Sequence, residues 1–180
     1  IAFKLIKLSY DMKFTYAGGY LAALYWEGIG TDVNHKKAIE LYQESHDIGC
    51  INCTYMLGKI YLDGIFVEKN YVKALHYLTI AHISRNRHAP YDLGIMHKNG
   101  YGTKKNIANA MLYFSAAVLN NNVNANYELG LIHLYNEQYL NVEKAINLIT
   151  YASENFNTDA MCLIAEFCYY GKHLKMDIIK

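Results

Sequence analysis

Several things are scarce in this 180-residue chain. It has no run of 18 apolar residues, which excludes a membrane-spanning helix. Four cysteines are too few for a small disulfide scaffold. Charge of one sign is not in excess. The 17 basic and 16 acidic side chains leave a net charge of +1, without the basic surplus that marks a nucleic-acid groove. No Gly-x-Ser-x-Gly elbow and no phosphate-binding Gly-x-x-x-x-Gly-Lys occurs, so no nucleophile constellation is visible. The chain starts at Ile1 and shows no signal-peptide pattern. Proline occurs once, and the 53% hydrophobic, 18% charged composition is that of a chain able to bury a core. Lys, Asn, Ile and Tyr number 15, 17, 18 and 18, a bias that AT-rich codons produce. Single Asn and Tyr residues are therefore discounted as functional signals.

What is present is a period. Small residues recur at Ala17, Cys53, Ala89, Ala125 and Ala160, at spacings of 36, 36, 36 and 35. In phase with them run Leu21, Leu57, Leu93, Leu129 and Ile164, then Ala22, Gly58, Gly94, Gly130 and Ala165. Further columns read Gly28, Gly64, Gly100, Asn136 and Gly171, and Ala38, Ala74, Ala110 and Ala145. Each unit reads as two helices. Cys53, Leu57, Ile60 and Tyr61 give the first an apolar stripe, and Gly64 ends it. The second begins after Asn34, Asn70, Asn106 and Asn141, residues suited to accept an orphan backbone N–H, with Asp177 in the same column. Neither helix buries its stripe alone, so stacked units supply the core. Ala2 lies 36 residues before Ala38, and Lys180 falls in the column of Lys37, Lys73 and Lys144. The expectation is one array over 1–180, with units at 14–49, 50–85, 86–121 and 122–156 and partial units at 1–13 and 157–180, cut from a longer array.

The unit pattern in the second repeat is Cys53, Tyr55, Leu57, Gly58, Tyr61, Gly64, Asn70, Lys73, Ala74 and Tyr77. It resembles the Sel-one-like repeat family, a relative of the tetratricopeptide repeats, over essentially the whole chain. Unit five is eroded, with Ile164–Ala165 for Leu–Gly. The resemblance implies an all-α, right-handed solenoid of about five two-helix repeats, stacked in a superhelix and acting as a non-catalytic protein-interaction scaffold. Some secreted relatives bridge every unit with a regular cysteine pair. Cys50, Cys53, Cys162 and Cys168 follow no repeat phase, which favours a cytoplasmic or other reducing compartment.

Candidate chemistry is thin. Cys50-x-x-Cys53 invites a zinc or redox reading, but Cys162 and Cys168 lie three units away, roughly 30 Å if stacked pairs add about 10 Å each. Cys53 also stands in an alanine column, so a small core cysteine is the favoured reading. His97 and His133 replace Tyr in adjacent units, and stacking sets them too far apart to share a metal; a core histidine, hydrogen-bonded in an aromatic slot, is expected. Gly28-Ile29-Gly30 and Gly100-Tyr101-Gly102 read as turns, and Lys104–Lys105 as a solvated loop. No cofactor or metal is expected. The remaining candidate is the face lined by first helices, which in relatives is concave and binds extended peptides or helices. It would carry Trp26 and Glu27; Asn52, Tyr55, Lys59 and Asp63; His88, Tyr91, Ile95, Lys98 and Asn99; Asn124, Tyr127, Leu131 and Tyr135; and Glu166, Tyr169 and Tyr170. Tyr55, Tyr91 and Tyr127 form a column of possible hot spots, against the alternative that they are packing residues. The expected partner is another protein or peptide, with neither nucleic acid nor membrane insertion. A second reading is a structural subunit that self-associates through residues 1–13 and 160–180.

Overall fold

The computed structural model describes residues 1–170; Gly171, Asp177 and Lys180 of the columns above lie outside them. All regular structure among the described residues is helical. The chain divides into two compact units, 1–105 and 106 onward. The first holds α1 (Ala2–Asp11), α2 (Ala17–Glu27), α3 (His35–Asp47), α4 (Ile51–Asp63), α5 (Tyr71–Ile83) and α6 (Ala89–Asn99). The second holds α7 (Ile107–Leu119), α8 (Val123–Tyr135), a 3-10 turn (Glu137–Tyr139), α9 (Val142–Glu154) and α10 (Thr158–Tyr170). No described helix is long and apolar enough to cross a membrane.

Local chemistry sets the helix ends. Asn34, Asn70, Asn106 and Asn141 accept the N–H of Lys37, Lys73, Asn109 and Lys144 at 3.0, 2.9, 2.9 and 3.0 Å. Gly28, Gly64 and Gly100 close the first helices with φ of 70, 70 and 78°, a left-handed conformation open to glycine at little cost. Asn136 breaks that column. It keeps φ at −99° and its side chain accepts the N–H of Gln138, starting the 3-10 turn in the unit that has lost one residue.

Another column emerges only in three dimensions. Lys13, Gly49, Arg85, Asn121 and Phe156 all have positive φ, from 60 to 90°. They lie one period apart and turn the chain out of each second helix. After Lys13 comes Phe14, which does not cap α2; the residues after the other four, Cys50, Asn86, Asn122 and Asn157, cap the next first helix: each side chain accepts a backbone N–H at its start. Three of these four are Asn, so Cys50 occupies an asparagine position.

In the first unit Leu21, Ala22, Ala38, Leu41, Tyr42, Cys53, Leu57 and Ile60 form one buried cluster, and Phe3, Ile6 and Tyr10 of α1 pack on it. The Tyr10 hydroxyl donates to Glu44, which pushes the phenol up to about 12. In the second unit Leu134, Ala145, Ile149, Ala152, Ala160 and Phe167 form one buried cluster. The glycine of the Leu–Gly pair lets two helices close: a Cβ on Gly58 would meet Leu78 Cγ at 2.7 Å and the Leu78 backbone N at 3.2 Å. Burial of these small and branched side chains supplies the stabilisation that no single helix has.

Candidate interaction surface

A groove of about 390 Å³ opens between α2 and α4 in the first unit. Tyr16, Tyr20, Trp26, Tyr42 and Met56 give it an aromatic, apolar lining, and Glu27 and Asn52 add polarity. Trp26 is half-buried and held by rings on several sides: His35 edge-on at 4.8 Å, Phe66 edge-on at 5.8 Å and Tyr42 at 6.4 Å between centroids. Phe66 adopts φ of 59° where the equivalent positions are Gly30 and Gly102, and it stacks on His35 at 3.4 Å. The strained backbone thus coincides with packing around Trp26. Tyr42 is buried; burial and then the Glu27 charge push its phenol up to about 12.

One helix further, Tyr55, Lys59 and Asp63 meet a residue absent from the sequence-based set. Asp92 on α6 is buried, with 5% exposure. The Tyr55 hydroxyl donates to its Oδ2 at 3.0 Å, and Lys59 Nζ lies 3.2 Å from its Oδ1 and 3.2 Å from Asp63 Oδ2. Burial raises the Asp92 carboxyl above its usual range, a rise that Lys59 and Tyr55 only partly offset. Burial lowers the Lys59 ammonium, but Asp92 and Asp63 together outweigh it, so the net direction is up. The Tyr55 phenol is raised by burial and then by Asp92. Tyr55 and Lys59 are therefore committed to an internal link between successive first helices. The signal was present in the sequence: an acid beside the Leu93–Gly94 core pair needs a partner, and Tyr55 and Lys59 stand one period before it.

Asn52 is likewise engaged, accepting from Asn86 Nδ2 at 3.3 Å, and in the second unit Asn124 accepts from Asn157 Nδ2 at 2.7 Å. His88 is exposed and lies 5.7 Å from the Tyr55 ring. Tyr91, Ile95 and Lys98 on α6 are half-buried, and Asn99 is exposed. In the second unit Tyr127 and Leu131 are half-buried and Tyr135 is exposed. Burial and then Asp159 raise the Tyr127 phenol. Glu166, Tyr169 and Tyr170 lie exposed on α10. Asn52 thus meets Trp26 and Glu27 at the groove, and the other sequence-based candidates do not line it.

Cys53 is buried at 2%, as a core cysteine should be, but it is not a free thiol: it is disulfide-bonded to Cys50. His133 is a buried core histidine whose Nδ1–H donates to the Tyr139 carbonyl at 2.8 Å. Burial lowers His97. Among the described residues no three His, Cys, Asp or Glu side chains come together as a metal site.

Repeated helix pairs, capped in phase and stacked on shared small-residue columns, define an α-solenoid. The chain belongs to the Sel1 repeat family: the model described as Sel1 repeat matches residues 19–45, 51–81, 88–122 and 123–155, more than half of the chain. Proteins of this family generally serve as protein-interaction scaffolds. Its fold is similar to that of a Sel1 repeat protein from Oxalobacter formigenes, with TM-score 0.87 and 22% identity over 98% of this chain and 73% of that one. It is also similar to a protective antigen of uropathogenic Escherichia coli with the SLR fold, at TM-score 0.81 and 22% identity; the match covers 98% of this chain and 38% of the antigen. Helicobacter pylori cysteine rich protein B matches 69% of this chain and 95% of its own at TM-score 0.53 and 20% identity. No curated protein matches this chain.

Proposed function

We propose that this chain is a non-catalytic scaffold that binds a segment of another protein along its first helices, with the groove between α2 and α4 taking an apolar side chain of that segment. The observation that carries this is the groove itself, where Tyr20, Trp26 and Met56 converge with their rings and thioether accessible. Aromatic residues of this kind concentrate binding energy because they bury much area at low entropic cost. Glu27, Asn52 and His88 on the same face would set register. Asp63, Tyr91, Ile95 and Lys98 extend the face in the first unit, and Tyr127, Leu131, Tyr135 and Glu166 form the matching face of the second. The absence of a basic surplus supports a protein ligand over a nucleic acid.

The test is capture of partners by the tagged chain, compared with W26A/Y20A and with E40A on α3. A partner lost from W26A/Y20A and retained by E40A, with equal melting temperatures, supports the groove. Retention by both variants moves the contact elsewhere. A second reading has its own observation: α1 with its C-cap carries exposed Leu5, Leu8 and Met12, at 58, 55 and 63%. It predicts self-association through α1, and a monomer by light scattering at high concentration would exclude it.

A further inference from the structure

We propose that Cys50 and Cys53 form a thiol–disulfide exchange site, with Cys50 as the sulfur that an external small thiol attacks. The argument starts from the columns. The position of Cys50 is Phe14 in the first unit and Asn86, Asn122 and Asn157 in the later ones, and that of Cys53 is Ala17, Ala89, Ala125 and Ala160. Capping alone calls for asparagine and packing alone calls for alanine. Cysteine enters both columns in this unit alone, and the two cysteines are bonded to each other. A bridge across two intervening residues also restrains little of the unfolded chain, so it makes a weak staple.

The surroundings fit exchange. Cys50 caps α4, and its Sγ accepts the Cys53 N–H at 3.3 Å. That amide and the positive end of the helix would solvate a Cys50 thiolate once the bond opens. The sulfurs are unequal: Cys50 is half-buried, and Cys53 is buried. Both border the α2–α4 groove, giving an incoming thiol a path. Gly19 of α2 makes room, because a Cβ there would sit 2.6 Å from Cys53 Sγ and 3.4 Å from Cys50 Sγ.

The chemistry balances with two equivalents of a low-molecular-weight thiol. A thiolate attacks Cys50 Sγ, the Cys50–Cys53 bond breaks, and its electron pair leaves on Cys53 Sγ, which takes a proton. A second thiolate attacks the small-molecule sulfur of the mixed disulfide. It releases the oxidised small disulfide and a Cys50 thiolate, which takes the second proton. The protein gains two electrons and two protons, and the two thiols are oxidised to one disulfide.

The full chain is incubated with graded reduced and oxidised glutathione, quenched by alkylation and mapped by peptide mass spectrometry. Circular dichroism follows folding in parallel. The expected result is reversible labelling of Cys50 and Cys53 together while the protein stays folded. In addition, Cys53→Ser should trap one glutathione on Cys50 about tenfold or more faster than Cys50→Ser traps one on Cys53. Air-oxidised protein without a Cys50–Cys53 bond overturns the proposal. So does labelling that appears only in urea, in step with unfolding. Equal trapping rates overturn the assignment of Cys50. Should either serine variant not fold, the wild-type titration decides.

Discussion

Removing the Lys59 ammonium should expose how Asp92 is tolerated inside the first unit. Lys59→Met keeps the length and apolar stem and deletes the charge. At 3.2 Å and an effective dielectric of 20 the Coulomb attraction is about 5 kcal/mol, an upper bound before desolvation. Breaking a buried pair by removing one partner costs about 3–5 kcal/mol. The Lys59 side chain is 31% exposed and Asp92 keeps the Tyr55 hydroxyl, so the expected loss at pH 7 is smaller, about 2 kcal/mol. The pH dependence has a definite sign. Asp92 in the folded protein already has a raised pKa, and loss of Lys59 raises it further. Folding then favours the protonated carboxyl. The penalty is largest above the raised folded value, shrinks as pH falls through it, and is gone only below the unfolded value of about 3.9, where Asp92 is neutral in both states. Asp92→Asn should rescue the methionine variant, because an amide accepts from Tyr55 without needing a cation. Guanidinium unfolding of wild type, both single variants and the double variant, at pH 7 and at acid pH, measures all of this. A Lys59→Met cost below about 0.5 kcal/mol, or one independent of pH, would refute the reasoning.

The remaining expectations are simpler. Asn70→Ala should cost about 1 kcal/mol in chemical unfolding, since Lys73 loses its acceptor. Gly58→Ala should cost about 1–3 kcal/mol, because the new methyl meets Leu78 side chain and backbone. Phe156→Gly should stabilise by about 0.5 kcal/mol: the ring is 87% exposed and its φ of 65° suits glycine, whose extra unfolded-state entropy offsets part of the gain. Phe114→Ala, at a fully buried position, should lower stability by about 3–5 kcal/mol, seen as a fall in Tm.

The fold was legible because its determinants are local and repeated. An Asn before a helix and a Gly after one act through their own side chain and backbone, so Asn34, Asn70, Gly28 and Gly64 could be read without knowing what packs on them. The Cα–Cβ crowding at Gly58 is a contact between helices, yet it too left a mark, a column of small residues. Two features left weaker marks. The positive-φ column holds Lys13, Arg85 and Phe156, which do not signal a left-handed turn, beside Asn121 and Gly49, which do. The link from Tyr55 and Lys59 to Asp92 joins residues 37 and 33 apart, and a rule that assigned them to solvent by their place beside Leu57–Gly58 could not see it. The groove at Trp26 was half legible: the lone Trp was singled out, but Tyr20, Tyr42 and Met56 were not.

The capped period has a consequence for the gene. Excision of residues 35–70 would join Asn34 directly to Tyr71, and the new junction would again read asparagine followed by a helix that Asn70 formerly capped. Every glycine turn would keep its distance from the next cap. Recombination in steps of 36 codons can therefore lengthen or shorten such a gene without inventing a new loop. A step far from the period would set glycines and asparagines at the wrong places on the helices, while a single residue is absorbed in a loop, as before Asn141, so selection should favour length variants that differ by close to whole periods.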